Sequence, residues 1–141
     1  MTPEGGSADG AERRVRIERD SDVVAARQIG RELAQLAGLS GSDLTVVATA
    51  ISEVARNIIA YADHGEIVLS LAQQGGRQGI AVVARDQGPG IADIDQAMQD
   101  GFSTGKSLGL GLPGAKRLMD EFEISSELGQ GVTIVMRKWR R

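Results

Sequence analysis

The chain has 141 residues, 41% of them hydrophobic, a formal net charge of −3, and only one Trp, one Tyr and two Phe. That size suits one domain with a real core, an aliphatic one, and the acidic balance and scarce aromatics argue against nucleic-acid binding by phosphate neutralisation or base stacking. Cysteine is absent and histidine occurs once, which excludes disulfides, thiolate metal sites and His-rich metal sites; no run approaches the roughly 20 apolar residues of a membrane helix, and no basic-then-apolar leader is present, so a cytoplasmic protein without membrane or nucleic-acid partners is expected.

Residues 1–12 are rich in Gly, Ser, Ala and acids and read as a disordered tail, leaving 13–141 as the folded domain. Residues 14–18 alternate polar and apolar, as a short strand does. Ser21 or Asp22 is placed to cap a helix through about Ala37, with Val24, Ile29, Leu33 and Leu36 inward and Gly38 ending it. Ser40 or Ser42 is placed to cap the next helix. There Leu44, Val47, Ile51, Val54, Ile58 and Tyr61 recur at spacings of three and four, the clearest helical stripe in the chain. Residues 66–72 alternate as a strand, Gln74-Gly75-Gly76-Arg77 reads as a hairpin loop, and 79–85 is a more continuous apolar strand, hence a central one.

Residues 87–108 form a long connection with a short helical patch at 94–98. Connections of that length are usually functional lids or disordered. A helix is predicted over 109–121, with Pro113 tolerated in its first turn. Two further strands, 122–126 and 132–138, flank Leu128-Gly129-Gln130-Gly131 as a second hairpin. The order β-α-α-β-β-lid-α-β-β implies an α+β, two-layer sandwich with helices on one face of a mixed sheet. Arg137-Lys138-Trp139-Arg140-Arg141 reads as a solvated basic terminus. His64, in a turn, reads as a solvated histidine and not as a phosphoacceptor.

Three patterns carry chemistry. Glu53 and Asn57 stand four apart on the strongest helix and share one face at the border of its apolar stripe. A carboxylate there can take a proton, and an amide oxygen can ligate Mg2+; a solvated helix edge gives the same spacing. Asp86-Gln87-Gly88-Pro89-Gly90 puts an acceptor at a strand end, followed by two glycines; a Pro-Gly turn alone explains it equally well. Gly105-Lys106-Ser107-Leu108-Gly109-Leu110-Gly111 opens a helix, where free N–H groups favour anionic oxygen. Glycine in a first helical turn is unfavourable by about 1 kcal/mol against alanine, which suggests close approach of a ligand. It is not a P-loop, since no Gly-Lys-Ser/Thr follows a glycine and four variable residues.

Taken in order, with Gly129-Gln130-Gly131-Val132-Thr133 near the end, these patterns resemble the GHKL (Bergerat) ATP-binding superfamily of gyrase-type ATPases and histidine kinases. Within it the short chain, and the run 100–122 above all, resembles the anti-sigma-factor serine/threonine kinases, nearest the switch kinases of the stressosome. The resemblance implies Mg-ATP as cofactor. Asp86 would bond the adenine amino group, and Gly88 and Gly90 would shape its pocket. Asn57 would hold Mg2+. Gly109, Leu110 and Gly111 would meet phosphate, and Lys106 could touch it as a point charge. Thr133 would reach adenine through water, and Glu53 would act as base on a partner's serine or threonine. It further implies a STAS-domain substrate, in stress-response or sigma-factor control, and a PP2C-type phosphatase or a sigma factor as further partners. A nucleotide-gated anti-sigma binding module and a simple ATPase are the rival readings.

Overall fold

The structure is a computed structural model and describes residues 12–90, 98 and 111–141. In chain order these form strand β1 (Arg13–Ile17), helices α1 (Asp20–Leu36) and α2 (Ser42–Ala62), strands β2 (Gly65–Gln74) and β3 (Arg77–Asp86), helix α3 (Gly111–Leu118), and strands β4 (Glu121–Glu127) and β5 (Gly131–Trp139). The element order is the expected one. Residues 1–11, the patch at 94–97, and Lys106, Gly109 and Leu110 lie outside the described residues.

Local chemistry sets the ends of α1, though not through the expected cap. Arg19 is the N-cap, and Asp22, in the first turn, reaches back to accept from the backbone N–H groups of Glu18 and Arg19 at 2.9 and 3.0 Å. Asp22 thus supplies the reciprocal half of a capping box, not the cap itself. Those two bonds hold its carboxyl below the usual value. At the other end Gly38, with φ +94°, donates to Gln35 while Leu39 donates to Ala34. That is a Schellman motif, as the glycine suggests. α2 begins after Gly41, at φ +60°, and no side chain caps it, so neither Ser40 nor Ser42 is the cap.

The buried stripe of α1 is turned from the expected one. Val23, Ala26, Gly30, Leu33 and Ala34 face inward, while Val24 and Leu36 are 52% and 73% exposed. The inward face uses small residues because α2 lies close: a Cβ on Gly30 would overlap Ile51. Tyr61, at the end of the α2 stripe, is likewise half exposed.

The five strands lie in the order β1-β2-β3-β5-β4, and every pairing is antiparallel. A mixed sheet is therefore not what forms. The crossover from β3 through α3 does bring β4 back parallel to β3, but the β4–β5 hairpin inserts β5 between them. β3 is the central strand, as its apolar run suggests. At the β2–β3 turn Gly75 and Gly76 both have positive φ, 57° and 81°, which matches the twist of a two-residue hairpin.

Alternate residues of the strands, among them Ile67, Leu69, Ile80, Val82, Ala84, Ile134 and Met136, face the three described helices and form one aliphatic core with them. α2 is the middle helix of that layer. By length and composition alone it could cross a membrane, contrary to the expectation that no run comes close, yet Val47, Ile51 and Val54 on it are fully buried in this core.

The basic C-terminal run is solvated only in part: Lys138 and Trp139 are built in, while Arg140 and Arg141 are exposed. Lys138, 7% exposed, donates to the carbonyl of Leu118 at the end of α3 (3.0 Å) and faces Asp120 at 3.5 Å. Asp120 also accepts from the Trp139 N–H at 2.8 Å and pairs with Arg141. Trp139 is 2% exposed: its Nε1 donates to Glu121 at 2.8 Å and Arg77 lies over its ring, 4.5 Å from the centroid. A basic residue at a helix C-terminus and an Arg on an indole face are both favourable placements.

Candidate active site

The last residues of β3 and the first of β5 meet at one end of the sheet. Asp86 Oδ1 accepts from Gly88 N at 2.9 Å, an Asx-turn, and from Val132 N at 3.3 Å. Among the described residues no hydrogen bond is made to Oδ2. The glycines here are required by the protein's own packing. A Cβ on Gly88 would lie 2.6 Å from the Ala62 side chain at the end of α2, and one on Gly90 would lie 2.6 Å from the Glu127 carbonyl. Gly131, at φ +118°, lies against the Asp86 carbonyl, and Gly129 N donates to Pro89 O at 2.9 Å. The hairpin loop after β4 is thereby tied to the turn after Asp86.

On α2, Glu53 is buried, and its carboxylate is gripped twice. Oε1 accepts from the Gly111 N–H at 2.9 Å, and Oε2 accepts from Arg56 Nη1 at 3.3 Å. Gly111 opens α3 with φ +69°, a backbone that other residues adopt only under strain. Its N–H is one of the unpaired donors of a helix start, so an anionic oxygen belongs there. Asn57, one turn beyond Glu53 on the same face, is partly buried, and its amide makes no hydrogen bond among the described residues.

The structure thus joins Glu53 to Gly111 across 58 residues of sequence, and Asp86 to Gly88 and β5. It does not bring Thr133 to them. Strand alternation puts Val132 on the helix side and Thr133 on the opposite face, level with Arg85 and Ser125. Two contributors escape a sequence reading. Arg56 sits between Glu53 and Asn57, where its only signal is i,i+3 spacing from an acid. Val132 contributes a backbone N–H, which no side-chain pattern reports. His64 stays an exposed turn residue. No group of three or more His, Cys, Asp or Glu fit to hold a metal exists among the described residues.

A buried carboxylate bound to a helix N-terminus, an amide with no hydrogen bond among the described residues and an aspartate at a strand end, on an open antiparallel sheet backed by helices, fit an ATPase-type domain. The histidine kinase-like ATPase domain family matches residues 18–138, and the chain belongs to it. It is 50% identical over 127 residues, 90% of its length and 96% of the relative, to the serine/threonine-protein kinase RsbT of Bacillus subtilis (strain 168). It is 33% identical over 103 residues, covering 68% and 69% of the two chains, to the anti-sigma F factor of Geobacillus thermodenitrificans (strain NG80-2), and 36% over 101 residues to that of Clostridium kluyveri, covering 68% and 70%. By that kinship the chain is a serine/threonine protein kinase.

Proposed function

We propose that the chain transfers the γ-phosphoryl group of Mg-ATP to a serine or threonine hydroxyl of a STAS-domain protein in sigma-factor or stress-response control. The observation that carries this reading is Glu53: a buried carboxylate at the start of α3, one helical turn from the Asn57 amide, which has no hydrogen bond among the described residues. The donor set fits the ligands. Asp86 Oδ2 is an acceptor of the kind an adenine amino group needs. The Asn57 amide oxygen suits Mg2+, which takes oxygen donors and keeps waters and phosphate oxygens as its other ligands. Bound Mg2+ would neutralise phosphate charge.

The chain's own residues then have distinct tasks. Asp86 orients the base, with Oδ1 fixed by Gly88 and Val132 so that Oδ2 has one direction to face. The Gly111 N–H stays on Glu53, and the residues before it in sequence, Lys106, Gly109 and Leu110, are assigned to phosphate. Glu53 accepts the hydroxyl proton as that oxygen bonds to the γ-phosphorus and the bond to ADP breaks. Thr133, on the opposite face of β5 from Val132, is left out of this assignment. Positioning and charge neutralisation supply most of such catalysis. The kinase released from its phosphorylated partner would be free for a PP2C-type phosphatase or a sigma factor. The anti-sigma F factor relatives favour one rival, a nucleotide-gated binding module.

Radiolabelled ATP with a purified STAS-domain protein separates the readings. Labelled protein supports the kinase, free phosphate a simple ATPase, and binding without turnover the module.

A further inference from the structure

Arg56 and Glu53 differ sharply in exposure: the arginine side chain is 46% exposed, the glutamate 4%. One of the guanidinium's five N–H donors goes to Glu53 Oε2 at 3.3 Å; Oε1 is already on the Gly111 N–H at 2.9 Å. The carboxylate is held from two directions, by the backbone of α3 and by a side chain of its own helix. A carboxylate fixed at one oxygen can still turn, because its terminal torsion is broad. The second donor sets its plane. An i,i+3 pair with one partner in solvent adds little to stability, so folding alone does not account for this placement.

We propose that Arg56 is a positioning residue for phosphoryl transfer: it fixes the plane of the Glu53 carboxylate against the incoming hydroxyl. The proposal rests on the reading of Glu53 as the base. Arg56 acts through Glu53, not on the nucleotide, and so affects turnover and not ATP affinity. A misaligned base loses rate steeply even when every reacting group is present.

The test is radiolabel transfer from Mg-ATP to a purified STAS-domain protein, by the wild type, Arg56→Ala, Glu53→Gln and the double variant. ADP affinity is measured for each by titration calorimetry. Arg56→Ala is expected to lower kcat about 10-fold, with KM for ATP and ADP affinity within about twofold of wild type. In the Glu53→Gln background Arg56→Ala is expected to add nothing, since no base is left to orient. Wild-type kcat for Arg56→Ala overturns the proposal, and so does a further loss on top of Glu53→Gln, which would put Arg56 on the phosphate or the partner. If Glu53→Gln itself transfers at the wild-type rate, the base reading fails, and the proposal with it. If Glu53→Gln is inactive and Arg56→Ala is not impaired, only the proposal fails.

Discussion

The two ends of the sheet handle polar groups in opposite ways. At the end that holds Trp139, the charges saturate one another. Asp120 binds the Trp139 N–H, Lys138 and Arg141, Glu121 binds the indole and Arg137, and Lys138 closes the last carbonyl of α3. At the end that holds Asp86, the polar groups are held but not used up: Asn57 and Asp86 Oδ2 have no hydrogen bond among the described residues. Both residues are partly buried, so a leftover set at one end and a saturated set at the other separates a site from a staple. α3 connects the two, with its N-terminus at Glu53 and its C-terminus at Lys138.

Substitutions at the open end are expected to change chemistry with little change in stability, and substitutions at the stapled end the reverse. Glu53→Gln should have the largest effect, lowering phosphoryl transfer about 100-fold or more while ADP affinity stays within a few fold. Equal loss of nucleotide affinity would make Glu53 a structural cap of α3 instead. Asp86→Asn turns an acceptor into a donor facing the adenine amino group. Loss of such a pairing is worth about 1–3 kcal/mol, and calorimetry should show the preference for ATP over GTP shrinking accordingly. If the wild type itself binds GTP as well as ATP, Asp86 does not read the base.

Asn57→Ala should weaken Mg2+-dependent ATP binding by roughly tenfold, with metal-free ADP less affected; unchanged Mg2+ dependence would remove the amide from the metal. At the stapled end, Asp120→Asn should lower stability by about 1–3 kcal/mol at neutral pH with ADP affinity unchanged. Burial alone would raise the Asp120 carboxyl, but the Trp139 N–H, Lys138 and Arg141 outweigh it and hold the carboxyl below its usual value. A depressed carboxyl contributes stability above its unfolded value of about 4 and loses it as pH falls through the folded one. The gap between wild type and Asp120→Asn in urea unfolding should therefore close below about pH 4. A gap that stays constant down to pH 2 would show that the ion cluster is not its source. Gly76→Ala, at φ +81° with open space around it, should cost only about 1 kcal/mol and leave transfer unchanged. Lost activity there would mean that the hairpin tip meets the partner.

By itself the sequence determined the element order, the central place of β3, the α2 stripe from Leu44 to Ile58, and the pairing of Glu53 with Asn57 on one face. These are local facts, set by period, by turn residues and by spacing within one element. Tertiary structure decided the rest. The face α1 buries depends on how closely Gly30 lets α2 approach, which makes Val23 inward and Val24 outward. The antiparallel sheet depends on β5 entering between β3 and β4. The fate of the basic terminus depends on Asp120 and Glu121 lying across the hairpin from it. Thr133 and Val132 were told apart only by register, because a shift of one residue along a strand exchanges its faces. The contact of Glu53 with Gly111 joins residues 58 apart, and no pattern within a helix encodes a partner that only the packing of α3 against α2 brings within hydrogen-bond reach.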